Sequence, residues 1–158
     1  EKFIKKGYVV IDLKLEFDDK SNIIKNYRFN GIVKNGNISL FKKYDLNKID
    51  FNFEIDKKIL KFNNIRFTLN NNKVFIPELN ASKQENKYLI LGNLNTNNSR
   101  LTKNEINNFF YDKFFELDVQ EILFSSKNYF KFEINKNFKI KNLEIKSDID
   151  LNYLKFKN

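Results

Sequence analysis

The stretch that decides the fold is Ile-Asp-Phe-Asn-Phe-Glu-Ile at residues 49–55, where an apolar side chain occupies every second position. Successive side chains of a β-strand point to opposite faces of its sheet, so this stretch predicts a strand with one apolar face and one polar face. The same period of two recurs at residues 8–17, 27–33, 87–94 and 129–134. The sequence therefore predicts a mainly β protein, built as a mostly antiparallel sheet of repeated hairpins with one apolar side.

Three local signals refine the predicted sheet. Asn35-Gly36 predicts a two-residue hairpin turn, because both central residues of a type I′ turn need positive φ. Asn63-Asn64 lies where the apolar positions change parity, and it predicts a β-bulge that keeps the apolar side chains on one face. Pro77 has no backbone N–H to donate, so it predicts an edge position or another bulge.

One helix interrupts the strands. Residues 102–105, Thr-Lys-Asn-Glu, fit a capping box, in which Thr caps the first turn and Glu reaches back to the amide of the cap. Apolar residues then follow at helical spacing from Ile106 to Phe114. The pattern predicts a short α-helix at about residues 103–115, within a helical insertion of about residues 102–116, whose Phe-rich side packs into the core.

A hairpin sequence occurs twice. Phe-Asn-Phe-Glu-Ile-Asp-Lys at 51–57 matches Phe-Lys-Phe-Glu-Ile-Asn-Lys at 130–136, an offset of 79 residues (130 − 51). Residues 61–67 align with residues 139–145 at an offset of 78 (139 − 61). Repetition of one supersecondary unit favours a stacked, elongated architecture.

The composition predicts a folded chain. Its 158 residues include 41% hydrophobic and 16% aromatic residues, far from the composition of a disordered segment. No apolar run approaches the roughly 18 residues of a membrane-spanning helix. The chain begins at Glu1 and contains no Met, which favours a section of a longer protein.

The net charge of +9 has two readings. A basic surface attracts nucleic acid or anionic lipid, whereas AT-rich coding bias produces Lys, Asn, Ile and Phe together. The aromatic residues of the strands share their face with Ile and Leu, whereas a nucleic-acid platform places aromatics among basic residues. The sequence therefore predicts no nucleic-acid partner.

Catalytic motifs are missing from the sequence. Cys and His are absent, which excludes thiolate nucleophiles, imidazole bases and the usual zinc sites. None of the four glycines lies in a phosphate-binding loop. Asp18-Asp19 falls in a polar turn, and Asp148 and Asp150 fall on one polar strand face, so neither pair suits acid–base catalysis. We expect a protein that is not an enzyme and has no catalytic residue, metal or cofactor.

Residues 29–33, 46–53, 60–69 and 88–94 resemble the β-repeats of the AsmA-like family, the TamB- and YhdP-type bridge-like lipid transfer proteins. These repeats consist of a strand, a short turn, a second strand and a β-segment that ends in glycine. Residues 138–151 also resemble a stretch found in YhdP-type members. The resemblance covers about two thirds of the chain, and its motifs are patterns of alternation and turns without a diagnostic residue.

The resemblance implies a curved β-groove and a place within a longer protein. Residues 1–158 would form a single segment of a repetitive protein of the Gram-negative periplasm, anchored in the inner membrane by a helix outside this segment. Its groove would carry phospholipid acyl chains between the inner and outer membranes. The implied partners are these acyl chains, neighbouring repeats of the same chain, and the membrane that holds the anchor.

The apolar positions of the predicted strands would line this groove. They are Val9, Ile11, Leu13, Leu15, Phe29, Ile38, Leu40, Ile49, Phe51, Phe53, Ile55, Leu60, Phe62, Ile65, Phe67, Leu69, Val74, Ile76, Leu89, Leu91, Phe130, Phe132 and Ile134. The alternative is a structural or adhesive β-sandwich of a surface protein, in which two sheets cover each other's apolar faces. A basic nucleic-acid-binding β-domain is a third, less favoured reading.

Overall fold

The computed structural model describes residues 4–20, 24–40, 44–110, 118–137 and 139–157. They form one eight-stranded sheet in which every strand pairs antiparallel with the next one along the chain. The strands are β1 (Ile4–Phe17), β2 (Ile24–Leu40), β3 (Tyr44–Asp56), β4 (Ile59–Leu69), β5 (Asn72–Gln84), β6 (Lys87–Thr102), β7 (Val119–Asn135) and β8 (Ile140–Phe156). The predicted mainly β fold of successive hairpins is confirmed.

The sheet is open, and it is a single layer in the described part of the chain. β1 and β8 are its two edges, and no second sheet packs against either face of these strands. Even so, Ile49 is only 5% exposed and Val74 only 7%. Side chains of a flat single layer would stay open to solvent, so neighbouring side chains on the central strands must close over one another.

Residues in the left-handed backbone region bend individual strands. Asn64 has φ 54° inside β4, and the pairing of β3 with β4 is irregular beside it. This confirms the predicted bulge at Asn63-Asn64. The same conformation recurs within other strands, at Asn35, Lys48, Asn98 and Asn142. Each of these bulges adds one residue, so the apolar side chains return to the same face of the sheet.

The Asn35-Gly36 prediction of a hairpin turn is wrong. β2 continues through both residues to Leu40, and Gly36 pairs with Ile49 on β3. Asn35 does have positive φ, at 51°, but it uses this conformation in a bulge. The positive φ was predicted correctly for Asn35. Pairing on both sides of β2, however, keeps the chain extended where an isolated hairpin would turn.

Pro77 lies at a bulge and away from an edge. β5 is paired on both sides, with β4 and β6. The register of β5 with β6 shifts between Phe75 and Leu79, and Pro77 falls in this gap. A residue without an N–H is tolerated here because the ladder is already interrupted.

Helix α1 spans Lys103–Phe110 and follows β6 directly. The Glu105 carboxylate accepts a hydrogen bond from the backbone N–H of Thr102 at 2.9 Å and another from the Thr102 hydroxyl at 2.8 Å. The Glu105 half of the predicted capping box is confirmed, whereas the Thr102 hydroxyl donates to Glu105 instead of capping the first turn. Ile106 is buried at the start of the helix, with 4% exposure. The predicted extension of the helix over residues 111–115 lies outside the described residues.

Candidate functional site

The candidate site is the apolar face of the sheet. One row of directly paired residues crosses all eight strands on this face: Ile11, Gly31, Phe53, Phe62, Leu79, Gly92, Phe130 and Ile145. Because paired residues of an antiparallel sheet point to the same side, this row shows that the apolar face is continuous from β1 to β8. We call it the apolar row.

Both glycines of the apolar row lie under aromatic rings of the next strand. A Cβ added at Gly31 would lie 2.5 Å from Cζ of Phe53, and one added at Gly92 would lie 2.5 Å from Cζ of Phe130. The missing side chains therefore leave room for the rings to lie across the glycine backbone, which keeps the surface apolar where glycine interrupts it.

Exposure of the apolar face rises from the centre of the sheet to its edges. Ile49 and Val74 on the central strands are buried, whereas Leu13 on β1 is 52% exposed and Ile145 on β8 is 60% exposed. Further exposed side chains of this face are Val9, Ile11, Leu15, Ile140, Leu143, Ile149 and Leu151. Contiguous exposed apolar surface of this kind marks an interaction site for a protein, a ligand or a membrane.

The centre of the apolar face contains a concavity of about 400 Å³. Its apolar lining comes from Phe67, Leu69, Val74, Leu94, Leu101 and Phe124. β4, β5, β6 and β7 all contribute to it, so it depends on the bulges that return these side chains to one side. Its size is within the range of small-ligand sites.

A short polar strip crosses the apolar face between β6 and β7. The hydroxyls of Thr96 and Ser126 lie 2.9 Å apart, and the Asn128 amide donates to Ser126 at 2.8 Å and to the Leu94 carbonyl at 3.0 Å. These groups satisfy one another. The buried Ser99 hydroxyl, beside the concavity, has no hydrogen-bond partner among the described residues. Most hydrogen-bonding groups of the strip are therefore paired with one another, and the side chains around it are apolar.

Most of the predicted lining residues share this face. The register places the following on it: Val9, Ile11, Leu13, Leu15, Phe29, Ile38, Ile49, Phe51, Phe53, Ile55, Leu60, Phe62, Ile65, Phe67, Leu69, Val74, Ile76, Phe130, Phe132 and Ile134. The side chain of Leu40 lies outside the described residues. Whether any of these residues contacts lipid stays a prediction.

Leu89 and Leu91 were assigned to the wrong face. Leu91 pairs with Asn80 and Lys131, and Leu89 pairs with Ser82 and Glu133, all on the polar side. Their neighbour Ile90 pairs with Ala81 and Phe132 and is the residue that belongs to the apolar face. Residues 88–91 are apolar at odd and even positions alike. Alternation within that stretch therefore cannot show which positions lie on the apolar face. Asn93 and Asn95, just downstream, are polar at odd positions, and they could have indicated that the even positions of this strand lie on the apolar face.

The prediction also missed part of the face. The register adds Leu79, Ala81, Tyr88, Ile90, Leu94, Leu101, Ile122, Phe124, Ile140, Leu143, Ile145, Ile149 and Leu151. Those on β8 alternate clearly in the sequence and could have been included. Phe124 shares the even parity of Phe130 and Phe132 on β7 and could also have been included. Leu101 could not, because the positive φ of Asn98 returns β6 to the apolar side only in the folded sheet.

Ion pairs between neighbouring strands cross the polar face. They are Arg28–Glu54 (3.5 Å), Lys34–Asp50 (3.8 Å), Lys61–Glu78 (3.4 Å), Lys87–Glu133 (2.6 Å), Arg100–Glu121 (2.8 Å) and Lys131–Glu144 (3.4 Å). The hydrogen bond from Lys87 holds the pKa of the Glu133 carboxyl below its usual value, and the Asn80 and Lys61 side chains do the same for the pKa of Glu78. The polar face is therefore a solvated surface with locally matched charges.

The described residues lack two kinds of feature. They contain no cluster of three or more acidic, His or Cys side chains placed to hold a metal ion. No helix within them has the length and apolar character needed to cross a membrane.

Comparison with known proteins identifies no relative. No family model matches the chain, and no curated protein or solved structure matches it significantly. The AsmA-like resemblance therefore remains a prediction based on the quoted residues.

Proposed function

We propose that the apolar face binds lipid acyl chains, and that the chain acts as a section of a lipid-conducting β-groove of the AsmA-like type. The observation that carries this proposal is the apolar face, which is continuous across eight strands, contains a concavity and is covered by no second sheet in the described part of the chain. In the setting that the resemblance implies, the lipid is a phospholipid that moves through the periplasm between the inner and outer membranes.

The energetics of an acyl chain favour such a face. Each methylene exposed to water costs about 0.8 kcal/mol, and contact with Leu, Ile and Phe side chains removes much of that cost. Apolar contact is non-directional, so a chain can slide along the face without breaking specific bonds. A headgroup would remain at the solvated margin.

The shape of the sheet supports this proposal over a role as half of a sandwich. A sandwich buries its apolar faces between two sheets. Here Leu13 on β1 and Ile145 on β8 remain more than half exposed, and no second sheet covers them in the described part of the chain. An occupant of the face therefore has to come from outside the described sheet.

Binding of a phospholipid with a fluorescent acyl chain tests the proposal. Vesicles of phosphatidylethanolamine and phosphatidylglycerol would donate the probe, and its emission would report transfer to the protein. Val9→Asp places a charge on the exposed apolar face and should lower probe uptake several-fold. Val10→Asp is the matched control, because Val10 lies on the opposite face of β1 and is also exposed.

The outcomes separate the candidate functions. Uptake by the parent chain and by Val10→Asp, together with reduced uptake by Val9→Asp, would support acyl-chain binding to this face. Absence of probe from the folded parent chain, or equal uptake by the two variants, would contradict it. Absence of uptake would favour a structural or adhesive role.

A further inference from the structure

The two edges of the sheet carry complementary charges. β1 pairs only with β2 and β8 only with β7 among the described strands, so each leaves alternate N–H and C=O groups of its outer edge free. On the polar face, β1 presents Asp12, Lys14 and Glu16. On the same face β8 presents Lys141, Glu144 and Lys146, followed by Asp148 and Asp150.

We propose that β1 of one copy of this chain pairs antiparallel with β8 of a second copy, so that the sheet continues from one molecule to the next. In the best register Glu16 lies opposite Lys141 and Lys14 lies opposite Glu144. Asp12 then lies opposite Lys146. All three charged positions of this part of β1 therefore meet an opposite charge, which favours the pairing of directly opposed residues.

The structure already contains a precedent for this register. On its inner side β8 pairs with β7, where Glu133 lies opposite Lys141 and Lys131 lies opposite Glu144. Glu16 and Lys14 of the second copy would repeat this arrangement on the outer side of β8. The bulge at Asn142 is accommodated between these pairs on β7, and β1 would span it in the same way.

The apolar face agrees with the same register. Leu13 lies opposite Ile145, Leu15 opposite Leu143 and Val9 opposite Ile149. All six side chains are exposed, and the pairing would cover part of each. The apolar face is compatible with this alignment, and the charges of the polar face distinguish it from alignments shifted by two residues.

The direction of the strands also permits this junction. Within the chain, successive strands alternate in direction from β1 to β8, so an odd-numbered strand added beside β8 continues the antiparallel order. Such a contact uses different surfaces on the two copies. It leaves an edge open at each end, so assembly should proceed beyond the dimer.

A charge exchange at Asp12 and Lys146 tests the proposal. Neither side chain forms an ion pair within the described part of the chain, and both are exposed. Sedimentation velocity of the full chain over a range of concentrations would measure assembly. We expect Asp12→Lys and Lys146→Asp each to weaken association roughly tenfold, since each replaces an attraction between opposed strands by a repulsion. The double variant should recover most of the parental association.

Lys73→Asp is the control for a change of charge away from the edges. Lys73 lies exposed on the polar side of β5, and its reversal should leave assembly unchanged. A chain that stays monomeric at all concentrations would overturn the proposal, as would failure of the double variant to recover. Dimers that do not grow, with sensitivity to only one of the two single substitutions, would indicate pairing of identical edges and would also overturn it.

Discussion

Asp56 and Asn135 hold equivalent places in two hairpins, 79 residues apart, and one side-chain oxygen of each accepts two backbone N–H groups of its turn. The second donor lies three residues after Asp56 but four residues after Asn135. The Asp56 Oδ1 accepts the backbone N–H groups of Lys58 and Ile59 at 2.8 and 2.9 Å. The Asn135 Oδ1 accepts those of Asn137 and Lys139, both at 3.0 Å. The repeated sequence is therefore a repeated turn, stabilised by one side-chain oxygen in each copy.

The first prediction concerns the pH dependence of this turn. The N–H groups of Lys58 and Ile59 hold the pKa of Asp56 below its ordinary value of 3.8. A carboxyl whose pKa is lowered by folding stabilises the folded state above its unfolded pKa, and this contribution disappears as the pH falls through the folded pKa. Asp56→Asn should therefore reduce the loss of stability between pH 6 and pH 3.

Urea unfolding at several pH values checks this prediction. Asn at position 56 can still accept both N–H groups, as Asn135 does, so the turn should persist. Asp12→Asn is the control, because no described backbone N–H donates to the Asp12 carboxylate. An Asp56→Asn profile that parallels the parental pH profile would contradict the prediction.

The second prediction concerns the two glycines of the apolar row. A methyl group at Gly31 would press against the Val10 carbonyl oxygen as well as the Phe53 ring, and backbone cannot move away as a side chain can. Gly31→Ala should cost about 1–3 kcal/mol, as overpacking typically does. Gly92→Ala should cost less, because its methyl group would clash with the Phe130 side-chain ring alone. Equal losses of unfolding free energy in the two variants would argue against this account.

The third prediction concerns the bulge in β4. Asn64 has φ 54°, a conformation that a β-branched residue adopts at a cost of about 1–2 kcal/mol. Asn64→Val should therefore lower the unfolding free energy by about this amount, while Asn64→Gly should be close to neutral, since glycine enters this region freely. Chemical denaturation of both variants provides the measurement. A valine variant as stable as the glycine variant would show that the bulge does not require positive φ.

The fourth prediction concerns the attachment of α1. Ile106 is buried while Asn107 beside it is exposed. Ile106→Ala should destabilise the protein by about 2 kcal/mol or more, because it removes packed methyl groups and leaves a cavity. Asn107→Ala should change stability by less than about 0.5 kcal/mol. Hydrogen exchange across Lys103–Phe110 would locate the effect, and protection unchanged by Ile106→Ala would refute it.

Alternation of apolar and polar residues predicted the fold well where either the odd or the even positions of a strand were clearly polar. Residues 49–55 lie within β3 with the expected faces, and the parity change at Asn63-Asn64 located a real bulge. It failed at Leu89 and Leu91, where both parities are apolar and only the pairing with β5 and β7 decides the face. It also failed at Asn35-Gly36, because a residue with positive φ serves a turn or a bulge equally well.

The sequence by itself determined that this protein is a one-sided antiparallel sheet, because the period of two assigns each side chain to a face before any contact forms. Only the tertiary structure decided how the strands align and which side chains of the apolar face are buried. Register depends on every bulge between distant strands, and each added residue reverses the side chains beyond it. Ile49 and Val74 are buried on strands that have a neighbour on each side, whereas Leu13 and Ile145 stay in solvent because edge strands have a neighbour on one side only.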